Sequence, residues 1–203
     1  LGDVYKRQVY QAGADLHLFD PSTGNVQIIE IEYYSPRIAR NRKFVETDYY
    51  LEDYDLHPEG FLTAVTTRGK PFVMANWEKA AIQQGELQGV RYRLPTWLQD
   101  GQSLALVSDA EGEEAIEIFA MDAPPAEKAK KPERLSDLDT GRIEVMLPSP
   151  TKNKLAIGNN RHELLVVDVA EKNVKRLDHS RFQPIHSICW SPDGLWLAYS
   201  YWN

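Results

Sequence analysis

Four turn-like tetrapeptides recur along this chain and divide it into units of similar length. They are HPEG at His57–Gly60, LQDG at Leu98–Gly101, SPTK at Ser149–Lys152 and SPDG at Ser191–Gly194. Their last residues stand 41, 51 and 42 positions apart. The long interval contains DAPPAEKAKKPE, Asp122 to Glu133, whose Pro, Lys and Ala content reads as an inserted surface loop. Without that loop the period is near 41 residues. A fixed period of this size calls for a supersecondary unit stacked on copies of itself, because a single unit cannot bury its own apolar face.

Each turn is followed by a short run rich in aliphatic, aromatic and β-branched residues: FLTAVTTR, SLALVSDA, KLAIGNN and LWLAYSYW. A second such run follows in the complete units, KPFVMANW, EAIEIFAMD and ELLVVDV. Runs of four to eight residues bounded by Gly, Pro, Asp and Asn read as strands. Pro presets φ at the second position of a β-turn and Gly accepts positive φ near its end, so SPDG is a hairpin connector. An extended segment before each turn (HSICW ahead of Ser191) and a polar strand after the second run (NVKRLD, Asn173–Asp178) complete the unit. Four antiparallel strands per unit of about 40 residues define a propeller blade. The expected fold is all-β, an incomplete β-propeller of four-stranded antiparallel blades.

The expected boundaries follow. Asp3–Gln8, DVYKRQ, matches the translation of GAT-GTG-TAT-AAG-AGA-CAG, the end of a common transposase-based sequencing adaptor, so residues 1–8 are expected to be a scar that packs against nothing. Residues 9–31 are expected to hold the last strands of a preceding blade, with PSTG as a hairpin turn between the two strands of Ala14–Ile31. Residues 32–44, charged and out of pattern, read as a linker, and residues 45–203 as about three and a half blades of a second propeller. The blades are bounded near Val45–Gln88, Gly89–Leu135 and Ser136–Asp178, with a fourth beginning near His179. On this reading the chain is a fragment of a longer one.

Chemistry-bearing residues are sparse. Five histidines (His17, His57, His162, His179, His186) show no paired metal-ligand spacing, and no metal or other cofactor is expected. His17, between Leu16 and Leu18, is expected on the solvent face of a strand. Cys189, the single cysteine, precedes Trp190 in an apolar segment and reads as a buried structural thiol. No G-x-S-x-G elbow occurs, and Ser187 and Ser191 lie in strand and turn contexts. The acidic stretch DAEGEEAIE, Asp109–Glu117, lacks the ligand alternation of a calcium loop and reads as a solvated hairpin turning at Gly112. The five tryptophans (Trp77, Trp97, Trp190, Trp196, Trp202) are expected to pack between adjacent blades. GVRYRLP, Gly89–Pro95, precedes the innermost strand of a blade. Arg91 and Arg93 are therefore the substrate-channel candidates, since guanidinium groups bind carboxylates bidentately. Against this stands an exposed basic pair that balances nearby acids.

The ordered set KFVETDYYLEDYDLHPEG, AVTTRGKPFVMANW, GVRYRLPTWLQDG, LALVSDAEGEEAIEIF, NNRHELLVVDV and ICWSPDGLWLAYS resembles the tricorn proteases and their bacterial homologues, from the end of a first, six-bladed propeller into a second, seven-bladed one. The resemblance covers nearly all of residues 14–203. It implies a cytoplasmic, hexameric serine protease acting on oligopeptides, with Ser and His in a region well downstream of both propellers. No catalytic residue then lies in this chain, and the propeller serves substrate and product channelling. Two other readings stand beside it: the propeller of a prolyl-oligopeptidase-like peptidase, or a TolB-like propeller that binds partner proteins and catalyses nothing. A net charge of −7 argues against binding phosphate backbones, and no apolar run approaches the roughly 20 residues that span a bilayer.

Overall fold

The computed structural model describes residues 7–12, 15–32, 34, 36, 46–121 and 131–202. The chain forms two units, Leu1–Val45 and Glu46–Asn203. The first holds one antiparallel sheet in the order β1 (Gln8–Ala12), β2 (Asp15–Asp20), β3 (Asn25–Ile29). Strands β2 and β3 flank the PSTG turn as the sequence indicates, whereas β1 is an additional strand. Residues 1–6 of the expected scar lie outside the described residues. Gln8, however, pairs with Phe19, and Arg7 forms an ion pair with Asp20 at 3.1 Å. An extended segment satisfies its backbone polar groups against a neighbouring strand whatever its side chains are, which is why Gln8 belongs to the sheet. The expected linker, 32–44, falls almost wholly outside the described residues, as do residues 122–130 of the inserted loop.

The second unit begins with a four-residue helix, α1 (Thr47–Tyr50), and continues as antiparallel sheets in strict chain order. The first is β4 (Leu51–Leu56), β5 (Leu62–Thr67), β6 (Lys70–Ala75) and β7 (Ile82–Gln83). The second is β8 (Tyr92–Trp97), β9 (Ser103–Ser108), β10 (Ala115–Ala120) and β11 (Glu133–Leu135). The third is β12 (Ile143–Pro148), β13 (Lys154–Asn159), β14 (Glu163–Asp168) and β15 (Asn173–His179). Strands β16 (Ser187–Trp190) and β17 (Leu197–Ser200) form a two-stranded sheet. These are the blades that the repeat predicts.

The four recurring tetrapeptides join the first two strands of each sheet, and they share one closure. The residue opening the turn donates its N–H across to the next strand: His57 to Leu62 O, Leu98 to Ser103 O, Ser149 to Lys154 O and Ser191 to Trp196 O, all at 2.8–3.0 Å. Gly101 is required at its turn. Its φ of +62° is left-handed, and a Cβ there would stand 2.9 Å from His57 Nε2 of the preceding turn.

Alternation along the strands builds the core. In β9, Leu104 and Leu106 pack toward the first sheet with Ala64, Val73, Tyr92, Trp97 and Phe119. Ala105 and Val107, on the opposite face, pack toward the third sheet with Ile143, Met146, Leu155, Ile157, Leu165 and Val167. Strand β13 does the same: Leu155 and Ile157 face the second sheet, while Ala156 faces β16 with Leu164, Ile185 and Ile188. A strand covered on both faces is apolar at successive positions in its middle, which explains why LALV in β9 and LAIG in β13 lack polar alternation.

Three expectations are corrected by this packing. Cys189 is exposed, because period-two alternation gives the covered face of β16 to Ile188. Of the five tryptophans only Trp97 is fully buried and Trp190 half-buried, whereas Trp77, Trp196 and Trp202 are exposed. The first two stand at equivalent places before their turns, where sheet packs on sheet; the others lie beyond the covered faces. His17 is half-buried rather than on a solvent face, stacked on Tyr10 across the β1–β2 pair with ring centroids 5.1 Å apart.

Candidate functional site

The first strand of each sheet lies beside the first strand of the next, and hydrogen bonds tie them in series. Trp97 N of β8 donates to Asp55 Oδ2 of β4 at 2.7 Å. Arg93 of β8 donates to Ile143 O of β12 at 2.9 Å. Trp190 Nε1 of β16 reaches Leu147 O of β12 at 3.4 Å. These strands form the inner wall. Each of the three complete ones carries an irregularity near its start, at Leu51/Asp53, Arg93/Thr96 and Ile143/Val145. In β8 the irregularity includes Leu94 at φ +51°, a left-handed conformation that strains a residue with a branched side chain. A cavity of about 260 Å³ opens along the three strands, lined by Asp53, Asp55, Leu94, Thr96 and Glu144 among others.

The two arginines singled out by sequence have different surroundings. Arg93 is mostly buried and committed: its Nη2 lies 2.7 and 2.8 Å from the two Glu114 carboxylate oxygens as well as bonding Ile143 O. Arg91 is 58% exposed, with Glu52 at 3.9 Å. Both border a smaller cleft of about 250 Å³ with Glu52, Asp53, Thr66 and Leu94. Arg93→Met is accordingly expected to lower stability by about 1.5–3 kcal/mol through its charged hydrogen bonds. Arg91→Met should stay within about 0.5 kcal/mol. Urea melts of the two variants make the comparison, and equal losses would contradict it.

The acidic hairpin turns at Gly112, as expected, with Gly112 N donating to Asp109 O at 2.9 Å. Three of its five carboxylates are held by arginine side chains of this chain. Arg134 reaches Glu111 at 3.3 Å and Glu117 at 2.9 Å, and Arg93 takes Glu114. Among the described residues no group of three or more His, Cys, Asp or Glu side chains is arranged to hold a metal ion.

Sequence reading passed over Asp53 and Asp55, which the fold places on the inner wall. Burial raises both carboxyls above the ordinary aspartate range; hydrogen bonds from Tyr54 N and the nearby Arg93 oppose this for Asp53, and bonds from Trp97 N and Leu56 N for Asp55. The signal was present in LEDYDL, where two aspartates alternate in the first strand of a blade.

Fold and inner wall together define a β-propeller built of four-stranded blades. The family model for the Tricorn protease second beta propeller domain matches residues 51–203. The chain is similar to the Tricorn protease homolog of Saccharolobus solfataricus, with 30% identity over 97% of this chain and 17% of that protein. It is 28% identical to the Tricorn protease of Thermoplasma volcanium, over 97% of this chain and 18% of that one. Among solved structures, the tricorn protease crystal structure superposes with a TM-score of 0.66 at 19% identity, covering 96% of this chain and 18% of that one. TolB from Acinetobacter baumannii gives 0.54 at 16% identity, covering 95% and 45%; that likeness is one of fold alone. The chain belongs to the tricorn protease family, with residues 51–203 in its second propeller, and spans less than a fifth of the length of the two relatives described. No helix among the described residues is long and apolar enough to cross a membrane.

Proposed function

We propose that the full-length protein is a serine protease of oligopeptides and that this propeller is its non-catalytic, substrate- or product-channelling portion. The observation that carries the reading is the inner wall, in which β4, β8 and β12 stand side by side along one cavity. Arg91, with its exposed guanidinium beside that wall, is the residue for guiding peptide carboxylates. Arg93 supports the wall through its bonds to Glu114 and Ile143. A cytoplasmic hexamer belongs to the same reading and rests on the family resemblance.

Two measurements test it. The 203-residue chain alone is expected to give no turnover of fluorogenic peptides; turnover abolished by Cys189→Ala or Ser187→Ala would place a nucleophile in this chain and overturn the assignment. In the full-length protein, Arg91→Glu is expected to lower kcat/KM about fivefold for an oligopeptide with a free carboxylate, the equivalent of roughly 1 kcal/mol for an exposed charge pair. The C-terminally amidated peptide should change much less. Equal effects on the two peptides would remove Arg91 from any guiding role.

A further inference from the structure

The inner wall presents the free edge of each first strand, and a free edge is a template for another strand. Backbone N–H groups alternate between the two edges of a strand. In β4, His57 N points to β5, bonding Leu62 O at 3.0 Å, so Tyr54 N and Leu56 N point to the free edge. Both donors are taken. Tyr54 N donates to Asp53 Oδ1 and Leu56 N to Asp55 Oδ1, each at 3.0 Å. In β8, Leu98 N points to β9, so Trp97 N lies on the free edge, where Asp55 Oδ2 accepts it at 2.7 Å. Pro95 of the same strand has no N–H. In β12, Ser149 N points to β13, so the free-edge positions are Met146 and Pro148; Pro148 again has no N–H, which leaves Met146 N without a neighbouring donor to continue a ladder.

Charged acceptors, prolines and the three irregularities described above are the devices by which sheets keep their edges from pairing. Here all three occur on one wall. An extended peptide would otherwise be held there by main-chain hydrogen bonds, the mode in which a peptide adds a strand to an open sheet. We propose that Asp53, Asp55, Pro95 and Pro148 close the inner edge of the propeller to strand pairing, so that an extended peptide meets side chains and is not captured by its backbone. As a statement about peptide passage this rests on the channel reading; as a statement about the edge it stands on the hydrogen bonds alone.

The test uses the full 203-residue chain and an uncharged, N-acetylated and C-amidated hexapeptide of alternating Thr and Val, with binding followed by calorimetry. Asp53→Ala frees Tyr54 N, and Pro148→Ala adds a donor. Each freed donor is expected to strengthen binding about two- to tenfold, with the double variant tightest. Asp53→Asn keeps the acceptor and is expected to match the wild type. Amide exchange at Tyr54 should accelerate in Asp53→Ala and not in Asp53→Asn, which reports the freed donor even if the double variant folds poorly. Wild type binding the peptide as tightly as Asp53→Ala overturns the proposal, as does Asp53→Ala with a faster Tyr54 amide and no gain in binding. Neither readout involves turnover, so an unchanged kcat/KM for Arg91→Glu in the full-length protein removes Arg91 from its guiding role and leaves the edge proposal untouched.

Discussion

Trp97→Ala is expected to cost about 3–5 kcal/mol of unfolding free energy, the range for emptying a large buried aromatic site. Trp97 is 1% exposed and packs with Ala64, Val73, Tyr92, Leu104, Leu106 and Phe119, so its ring joins the first sheet to the second. His57 stands edge-on to it at 4.8 Å. Its backbone N–H keeps its bond to Asp55 whatever the side chain, so the loss isolates the packing of the ring. Trp97→Phe separates packing from polarity. Trp97 Nε1 is buried with no hydrogen-bond partner among the described residues, so phenylalanine removes an unpaired donor and fills most of the site. It is expected to cost under about 1.5 kcal/mol. Denaturant midpoints at constant m value decide the matter. Similar losses for the two variants would mean that the ring's volume is not what joins the sheets.

Arg134→Met is the second large effect, expected to destabilise by about 3–5 kcal/mol, because it strands a buried carboxylate. Glu117 on β10 is 4% exposed. One of its oxygens accepts from Ser108 Oγ at 2.6 Å and Arg134 Nη1 at 2.9 Å. Its other oxygen has no hydrogen-bond partner among the described residues. Without Arg134, only the serine hydroxyl remains to offset the buried charge. The double variant Arg134→Met/Glu117→Leu, which removes both charges and retains volume, is expected to recover most of the loss. A double variant as unstable as Arg134→Met would show that the cost lay in the arginine's other contacts, with Glu111 and the Glu113 carbonyl.

The third sheet repeats this arrangement with different residues. Glu163 opens β14 and is held by Asn159, Arg161 and Arg176 at 2.8–3.1 Å. Burial works to raise its carboxyl, and the Asn159 and arginine partners together hold it below the ordinary glutamate range. In both blades a carboxylate on the third strand meets an arginine on the fourth, Arg134 on β11 or Arg176 on β15. The outer strand is thus fastened to its neighbour by charge in both blades, whether it is short, as β11 is at three residues, or long, as β15 is at seven.

Strands and turns were legible in the sequence because their causes are local. HPEG, LQDG and SPDG carry their own turn geometry, and a run such as LALV, Leu104–Val107, shows by its unbroken apolarity that both faces are covered. The 41-residue period then leaves few architectures besides stacked four-stranded sheets. Cys189 and the exposed tryptophans were misjudged because apolar neighbours in sequence do not say which face of a strand receives a partner. Arg91 and Arg93, two residues apart in one motif, looked equivalent for the same reason. Only the packing of one sheet on the next brings Glu114 and Ile143 O to Arg93 and leaves Arg91 with Glu52 at 3.9 Å. The closed inner edge was likewise invisible, although Asp53, Asp55, Pro95 and Pro148 all stand in plain view. Which edge of a strand an N–H faces is set by the register of the pair beside it, and Asp55 reaches Trp97 across 42 residues of chain only when two blades meet. Periodicity and turn chemistry act through neighbours in sequence and so determine the blades. The partners of charges and the closure of edges act through space, and were decided when the blades packed.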